Sequence, residues 1–264
     1  MSEIVGTVET LLRFPVKSMR GERLDVARLG AAGVDGDREW ALLDDEDHWV
    51  SAKTNRGRWR LYDGMLDLCA RTADAAPGSD GPAAVVVTLP DGRTATLGDP
   101  AADALLSAHL GGEIHFDRGD GGRRWGRHHD GSPLHLVTTA TLEALSADGT
   151  GAPDEDRALD PLRLRPNLVV RTPSGVTGFA EADWLGATLR VGGALLRATE
   201  PTERCVMTTR AQGDEVPPDG TVLKRIGRRN RAVAGIYLDV LEAGTIAVGD
   251  EVVLVARGAE VLAS

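Results

Sequence analysis

Hydrophobic residues recur along the chain in short runs separated by glycine, proline and aspartate, a pattern typical of strands joined by tight turns. The first run, residues 4–14, mixes alternation with an apolar stretch and predicts a strand that ends at Pro15. By the same criteria we expect strands within residues 39–45, 48–52, 59–70, 84–89, 93–97, 134–137, 167–172, 185–201 and 234–256. The pairs Asp63-Gly64 and Gly192-Gly193 predict turns inside two of these segments.

Three segments favour short helices. Asp99 is a suitable N-cap for a helix over residues 100–110, which Gly111 would end. A second helix over residues 138–147 would be capped by one of its two leading threonines, and residues 219–229 predict a third. Because strands outnumber helices and do not alternate with them, the pattern predicts a mainly β (α+β) fold of antiparallel or mixed barrels.

Polar, glycine-rich stretches divide the chain. Residues 72–84 and 149–156 are expected to be loops, and residues 117–132 a loop or linker at which the composition changes. We therefore expect two domains, residues 1–117 and residues 118–264, and we find no internal repeat.

Composition narrows the functional classes. The 264 residues are 42% hydrophobic and carry a net charge of −10, which argues against a nucleic-acid partner. No apolar run approaches the roughly 20 residues that cross a bilayer, so no membrane association is expected. The first residues include Glu3 and Glu9 and lack a small-residue cleavage site, so we expect a cytoplasmic protein without a signal peptide.

The chain has two cysteines, Cys69 and Cys205. Two thiols are too few for a disulfide scaffold or an iron–sulfur cluster, and neither cysteine has zinc-type spacing to other ligands. Cys69 lies in an apolar, strand-like run and is expected to be structural. Cys205 follows Arg204, whose cation favours a reactive thiolate, although a lone cysteine beside an arginine is more often an ordinary half-buried residue.

Polar residues near Cys205 and near the first strand could bind an anion. Thr208 and Thr209 could hydrogen-bond an oxo ligand, a phosphate or the backbone. Lys17 and Ser18 follow the first strand, where an ammonium and a hydroxyl can hold an anion, or can simply form an exposed strand end. Arg38 could grip a phosphate bidentately, or could pair on the surface with a neighbouring aspartate.

Two further groups flank predicted strands. Arg165 and Asn167 enclose a proline at the start of the strand over residues 167–172, at the rim of a sheet. Asp130 and Ser132 lie in a turn before another strand, where Ser132 could donate to an anion and Asp130 could exchange a proton. Ordinary turn chemistry explains these residues equally well.

Two basic clusters stand out on an acidic chain, and each could contact an acidic partner, frame a polyanionic cofactor or form a solvated face. The members of these clusters are Arg123, Arg124, Arg127, His128 and His129, then Lys224, Arg225, Arg228, Arg229 and Arg231. No phosphate-binding glycine loop, serine-hydrolase elbow or zinc-protease motif is present, so nucleotide binding by such a loop is unsupported.

The order of six short motifs resembles the MOSC family, named after the C-terminal domain of molybdenum cofactor sulfurase. The motifs are FPVKS (14–18), GDREW (36–40), DGSPL (130–134), LRPNLVV (164–170), ERCVMTT (203–209) and GTIAVGD (244–250). The resemblance covers nearly the whole chain and implies an N-terminal MOSC β-barrel domain followed by a MOSC β-barrel domain with a few short helices. It is greatest to the amidoxime-reducing members of mitochondria and bacteria.

The resemblance implies a molybdenum–molybdopterin cofactor with Cys205 as the ligand of the metal and as a catalytic residue. Asp130 would lie near the open side of the metal as a second catalytic residue and proton relay. The cofactor would be bound by Lys17, Ser18, Arg38, Gly131, Ser132, Arg165, Asn167, Glu203 and Arg204. Gly131 and Glu203 would contribute backbone groups, and a carboxylate at position 203 departs from the small or polar residue expected there.

The resemblance further implies an oxidoreductase that reduces small N-hydroxylated compounds, such as amidoximes and hydroxylamines, to amidines or amines. No cysteine follows Cys205, so electrons are expected from a separate flavoprotein, ferredoxin or cytochrome, and the protein is expected to be a monomer. Two alternatives remain open: a carrier of molybdenum cofactor or sulfur that uses Cys205, and a binding module without metal.

Overall fold

The computed structural model describes residues 2–73, 84–119, 127–146 and 159–257. Its strands are β1 (Glu3–Arg13), β2 (Glu22–Leu24), β3 (Val26–Gly30), β4 (Gly33–Val34), β5 (Trp40–Asp44), β6 (Trp49–Ser51), β7 (Trp59–Leu61), β8 (Cys69–Thr72), β9 (Val85–Thr88), β10 (Thr94–Thr96), β11 (Ile114–Arg118), β12 (Leu134–Thr138), β13 (Leu168–Arg171), β14 (Thr188–Val191), β15 (Ala194–Glu203), β16 (Val233–Glu242), β17 (Gly244–Ala247) and β18 (Glu251–Ala256). Its helices are α1 (Pro100–Leu110), α2 (Thr139–Ser146) and α3 (Val222–Asn230), with 3₁₀ helices over Pro161–Leu164, Ala180–Trp184 and Val206–Thr209. The predicted mainly β fold is confirmed.

Seven strands form a closed barrel in the order β13-β12-β16-β15-β14-β18-β1, which a β1–β13 pair completes, and β2 extends the sheet beyond β1. Neighbouring strands are antiparallel except for β12 and β13. The interior is filled by aliphatic side chains such as Leu11, Leu136, Leu196 and Leu254. Alternating inward residues therefore bury one face of each strand, as the apolar periodicity of the sequence requires.

The first strand closes the barrel, and its approach to β13 is unusually close. A Cβ atom at Gly6 would lie 2.5 Å from the carbonyl oxygen of Arg171 on β13. Glycine is therefore needed at this position, because any side chain would collide with the backbone of the neighbouring strand.

Smaller sheets lie beside the barrel. A four-stranded sheet has the order β11-β5-β6-β7, and two three-stranded sheets have the orders β10-β9-β8 and β17-β3-β4. A second core, which includes Val16, Leu42, Leu68 and Leu106, also takes in Met207, which follows Cys205 closely in sequence. The division into residues 1–117 and 118–264 stays a prediction, although β1 itself lies in the barrel with strands of the second half.

Local capping signals identified the helices well. The Asp99 carboxylate accepts a hydrogen bond from the amide of Ala101 at 2.9 Å, and Gly111 ends α1 with a φ of 76°. The hydroxyl of Thr138 accepts from the amide of Thr141 at 3.2 Å, so Thr138 caps α2. The third helix begins three residues later than the sequence predicts.

The sequence missed several short strands. Strands β2, β3 and β4 have only two to five residues each, too few for a periodic signal. Strand β11 extends to Arg118 and so overlaps the loop predicted from residue 117. The predicted loop over residues 149–156, and most of the one over residues 72–84, lie outside the described residues. None of the described helices is both long and apolar enough to cross a bilayer.

We expect Gly6→Ala to destabilise the protein by about 1–3 kcal/mol or more, because the added methyl group forces β1 away from β13. The matched control is Gly227→Ala in α3, where a Cβ atom meets nothing within 4 Å. That variant should be stabilised by about 0.5–1 kcal/mol, because alanine favours a helix. Urea unfolding of both variants measures the difference, and equal stabilities would contradict the close approach at Gly6.

Candidate functional site

A cavity of about 390 Å³ opens between the barrel and the smaller sheets. It brings together ten of the eleven predicted site residues, and Gly131 lines an adjoining groove. The cavity is lined by Lys17, Ser18, Arg38, Lys53, Trp59, His129, Asp130, Ser132, His135, Leu164, Arg165, Asn167, Glu203, Arg204, Cys205, Met207 and Tyr237. Residues from distant parts of the chain therefore meet at one site.

The segment after β1 and the segment before β5 are joined by backbone and carboxylate contacts. The amide of Phe14 donates to the Asp37 carboxylate at 2.7 Å, and the amide of Arg38 donates to the carbonyl of Phe14 at 2.7 Å. The amide of Lys17 donates to the carbonyl of Trp40 at 2.8 Å. Asp37 is fully buried and pairs with the Arg38 guanidinium. The expected pairing of Arg38 with a neighbouring aspartate is therefore present, but its expected location at the surface was wrong, because the Asp37 carboxylate is buried.

Three residues of the cavity adopt the left-handed backbone conformation that favours glycine. They are Ser18, Arg38 and Arg165, with φ values of 67°, 50° and 51°. Arg165 ends the 3₁₀ helix over Pro161–Leu164, and its amide donates to the carbonyl of Leu162 at 3.1 Å. Such conformations cost free energy and are concentrated at functional sites, where the surrounding structure holds them in place.

Two guanidinium groups lie over the ring of Phe14, at 4.2 Å for Arg165 and 4.9 Å for Arg38. Burial, and then the charge of Arg38, lower the pKa of Arg165 to about 9. One terminal nitrogen of Arg165 and the Nε atom of Arg204 are buried without a hydrogen-bond partner. Buried donors of this kind are rare, and both are free to bind an acceptor in the cavity.

A carboxylate bridges two lysines at the other side of the cavity. The Lys17 ammonium donates to the Asp130 carboxylate at 2.6 Å and to the carbonyl of His128 at 2.8 Å, while Lys53 contacts the other oxygen of Asp130 at 3.3 Å. Burial lowers the pKa of Lys17 to about 8, although Asp130 opposes this shift. Against the partial desolvation of its carboxylate in the cavity, the charges of Lys17 and Lys53 hold the pKa of Asp130 well below its usual range. Asp130 is therefore an ionised carboxylate at neutral pH, with no proton to supply.

The histidines of the site are kept neutral. Burial lowers the pKa of His129 to about 4 and that of His135 well below its usual value. The Nε2 atoms of these rings lie 3.0 Å and 3.3 Å from the carbonyls of Ala32 and Ala234, respectively. Since the rings carry no charge near pH 7, they can take part in hydrogen bonds but do not add to the positive potential.

The described members of the first basic cluster do not form a solvated face. His128 and His129 are buried, and Arg127 pairs with Glu39 at 3.1 Å. Arg123 and Arg124 lie outside the described residues. The second cluster lies on and just after α3, where most of its side chains are exposed, as expected for a solvated face.

The cavity is positive inside an acidic protein. Five cationic side chains line it against two carboxylates. The cations are Lys17, Arg38, Lys53, Arg165 and Arg204, and the carboxylates are Asp130 and Glu203. Preorganised cations in a partly closed site bind anions much more strongly than the same groups in water. The site is therefore suited to a ligand with at least one phosphate or similar anionic group.

Cys205 lies at the end of β15, where it precedes the 3₁₀ helix over Val206–Thr209. Its side chain is exposed to the cavity, and its carbonyl accepts hydrogen bonds from the amide and hydroxyl of Thr208 at 3.2 and 3.0 Å. The hydroxyl of Thr209 donates to the carbonyl of Val206 at 2.7 Å. Of the three roles considered for these threonines, the structure shows bonds to the backbone, which hold the turn that presents the thiol.

Two predicted site residues have their polar groups engaged by the protein itself. The Asn167 amide accepts from the amide of His135 at 3.2 Å and donates to the carbonyl of Leu12 at 3.2 Å, so it joins β1, β12 and β13. The Ser132 hydroxyl lies 2.9 Å from the carbonyl of Leu238 and 3.0 Å from Asp239. Both residues shape the cavity wall in this arrangement.

Gly131 and Glu203 differ in how they contribute. A Cβ atom at Gly131 would lie 2.6 Å from the Tyr237 ring, so glycine allows that ring to pack against the backbone. Glu203 is exposed at the end of β15, where it lines both the cavity and the adjoining groove. Its carboxylate can remain in water and need not be desolvated beside an anion.

Sequence reasoning missed Lys53, Trp59 and Tyr237. The Lys17 ammonium lies 5.3 Å from the ring of Trp59, and Tyr237 packs against His135 with ring centroids 5.8 Å apart. None of these residues stands in a motif or at an unusual spacing. A signal was available only for Lys53, which follows the predicted strand over residues 48–52 as a lone lysine.

The lowered pKa of Lys17 predicts a pH dependence of stability. Between about pH 8 and 10.5, Lys17 keeps its proton in the unfolded chain but has released it in the folded protein. The free energy of unfolding therefore increases as the pH rises through this window. Lys17→Met should lack this gain, whereas the exposed-site control Lys224→Met should keep it. Urea unfolding across this window compares the three proteins, and identical pH profiles for wild type and Lys17→Met would contradict the assignment.

The chain is similar to several known proteins. The chain is 25% identical to mitochondrial amidoxime-reducing component 1 of Xenopus laevis over 307 aligned positions, which cover 96% of this chain and 83% of that protein. The crystal structure of the YUAD protein from Bacillus subtilis aligns with 96% of this chain and 97% of that chain, with 13% identity and a TM-score of 0.49. The MOSC N-terminal beta barrel domain matches residues 5–56, and the MOSC domain matches residues 113–253, more than half of the chain. The chain therefore belongs to the MOSC family.

Proposed function

We propose that this protein binds a molybdenum–molybdopterin cofactor through Cys205 and uses it to reduce N-hydroxylated compounds. The observation that carries the proposal is the meeting of one accessible thiol with five cations in a single cavity. Membership of the MOSC family and a relative named for amidoxime reduction support the same reaction.

The residues of the cavity fit the chemistry of that cofactor. Its phosphate is an anion, and the buried donors of Arg165 and Arg204 lack partners that such a group would provide. Its metal is held among sulfurs, for which a soft thiolate such as Cys205 is a suitable ligand. The fit therefore rests on unpaired donors and on ligand type, and both are features of this chain.

Each residue has a defined task in this scheme. Arg38, Arg165 and Lys17 would hold the anionic end of the cofactor. Cys205 would ligate the metal, and Arg204 would add a further cation to the cavity wall. When bound, the cofactor would supply the two electrons that cleave the N–O bond of the substrate. The balanced reaction consumes two electrons and two protons for each N–OH group and releases N–H and water.

Asp130 has a narrower role than a general acid. Since the two lysines keep it ionised, it can hold Lys17 in place, but it has no proton to donate to substrate at neutral pH. We propose that Asp130 positions the Lys17 ammonium at the cavity wall. Any relay through Asp130 would first need uptake of a proton from solvent, to which its side chain is 56% exposed.

A carrier of cofactor or sulfur is the second candidate, because Cys205 is exposed at the opening of the cavity. Such a protein would transfer bound cofactor or persulfide sulfur to an acceptor without reducing amidoximes. Turnover of benzamidoxime by protein with stoichiometric molybdenum would exclude a pure carrier, and release of the cofactor to an acceptor protein without turnover would support one.

The remaining expectations about the surroundings of the protein are proposals as well. The substrate would be a small N-hydroxylated molecule, and a separate flavoprotein, ferredoxin or cytochrome would provide the electrons. A cytoplasmic location, a monomeric state and the lack of a nucleic-acid partner stay predictions from the sequence.

We expect Cys205→Ser protein from a cofactor-competent host to lose molybdenum and all amidoxime reduction, because the hydroxyl is a hard and far less acidic ligand. The matched control is Cys69→Ser at the start of β8, outside the cavity, which should keep both. Metal analysis, pterin fluorescence and a benzamidoxime assay measure these outcomes. Full activity in Cys205→Ser protein with bound metal would refute the proposed ligand.

We expect Arg165→Met to weaken retention of the pterin about tenfold or more, since each charge-assisted hydrogen bond contributes about 1.5–3 kcal/mol. Arg28→Met is the control, because its side chain is 83% exposed on β3. Pterin content after dialysis gives the readout. Equal retention in the two variants would show that the Arg165 donors do not hold the cofactor.

A further inference from the structure

Helix α3 presents a concentrated positive surface on an acidic chain. We call Lys224, Arg225, Arg228, Arg229 and Arg231 the basic patch. The apolar side of the helix, Val222 and Ile226, is fully buried in the core of the protein, so its cationic side faces outward. Within the patch, Arg225 is largely buried and pairs with Asp219 at 3.7 Å, whereas Lys224, Arg228, Arg229 and Arg231 are exposed. The whole chain has a net charge of −10, so a cluster of five basic residues is a local departure from its overall acidic character.

An apolar groove lies beside the basic patch. It has a volume of about 470 Å³ and is lined by Phe179, Leu185, Pro201 and Val233 together with the arginines at the end of α3. Leu185 is 37% exposed in this groove. Apolar side chains surrounded by arginine are typical of protein–protein interfaces, in which an apolar centre is bordered by charged groups.

The basic patch is connected to the region of Cys205. The 3₁₀ helix over Val206–Thr209, directly after Cys205, packs against α3. The amide of Arg204 donates to the carbonyl of Ala232 at 2.7 Å, just beyond the end of α3. Pro201 and Val233 line both the apolar groove and the smaller groove that adjoins the cavity. A partner seated on α3 would therefore lie next to the loop that presents the thiol.

Two other occupants fit the surface less well. A membrane-bound amphipathic helix inserts its apolar side into lipid, but the apolar side of α3 is packed inside the protein. Nucleic acid is an extended polyanion whose backbone would continue past the basic patch onto the acidic remainder of the chain. A compact acidic protein is small enough to contact the basic patch without covering the acidic remainder of the chain, and its negative charge is complementary to the patch.

We propose that the basic patch and its apolar groove form the docking surface for a small acidic electron-carrier protein. The proposal rests on the proposed reductase function, because the surface lies beside the thiol assigned as the metal ligand. Two reduced one-electron carriers, each oxidised by one electron, would supply the two electrons. Two protons are taken from the solvent. Each N–OH group is thereby converted to N–H, and its oxygen is released as one water molecule.

The test compares two double variants with the same change in net charge. Lys224→Glu/Arg228→Glu reverses two exposed charges one turn apart on α3. Arg28→Glu/Arg93→Glu reverses two exposed charges on β3 and in the β9–β10 turn, outside the cavity and both grooves. Binding of a plant-type [2Fe–2S] ferredoxin, an acidic carrier, is titrated at low and high salt. Benzamidoxime reduction is then measured with reduced ferredoxin and with reduced methyl viologen.

We expect the α3 variant to bind ferredoxin at least tenfold more weakly than wild type at low salt, and to lose ferredoxin-driven but not viologen-driven turnover. The control variant should match wild type, and wild-type affinity should fall steeply with salt. Equal ferredoxin affinity in the two variants, or no ferredoxin binding by wild type, would overturn the docking proposal. So would binding to anionic phosphatidylglycerol vesicles in place of ferredoxin.

Failure of the proposed function gives a different result. If metal-loaded wild type does not reduce benzamidoxime with methyl viologen, the reductase assignment is wrong whatever the carrier does. The ferredoxin titration measures binding without turnover, so it tests the docking surface independently of the reductase activity. The two proposals can therefore fail separately.

Discussion

The buried carboxylate of Asp37 joins the end of the first barrel strand to the segment that carries Arg38. It accepts the amide of Phe14 on one side and pairs with the guanidinium on the other, entirely out of water. An internal ion pair of this kind is tolerated only when every partner is present, since one orphaned charge costs several kcal/mol. The position of the Phe14 ring, and of the two guanidinium groups above it, depends on this contact.

Around that contact the protein gathers like charges in a partly buried cavity. Burial, and to a lesser extent the neighbouring cations, lower the pKa values of Lys17 and Arg165, and three cavity residues have a left-handed backbone that costs free energy. An anionic ligand would relieve both the repulsion and the unpaired donors. Preorganisation of this kind increases the affinity for an anion, because the site does not need to rearrange when the ligand binds.

Local signals explain what could be predicted from the sequence. Strands β9 and β10 and the capped helix α1 have strand, turn and cap residues at the required positions, and all three elements were predicted correctly. The meeting of the site residues in one cavity was expected only from the family resemblance, since no periodicity relates Lys17 to Cys205. The burial of Asp37 and the presence of Lys53 and Tyr237 in the cavity wall result from tertiary packing. Such packing cannot be predicted from the local sequence around each residue.

Closure of the barrel by β1 has a consequence for how the protein is made. Thr7 pairs with Glu251, and Leu11 pairs with Leu168, so two of the barrel neighbours of β1 lie far beyond it in the chain. At about 5–20 residues per second, the partner β18 follows only roughly 10–50 s later. During that interval β1 lacks its partner β18 and has only the short strand β2 beside its end, and a nascent chain in this state is a natural client for chaperones that shield exposed strands.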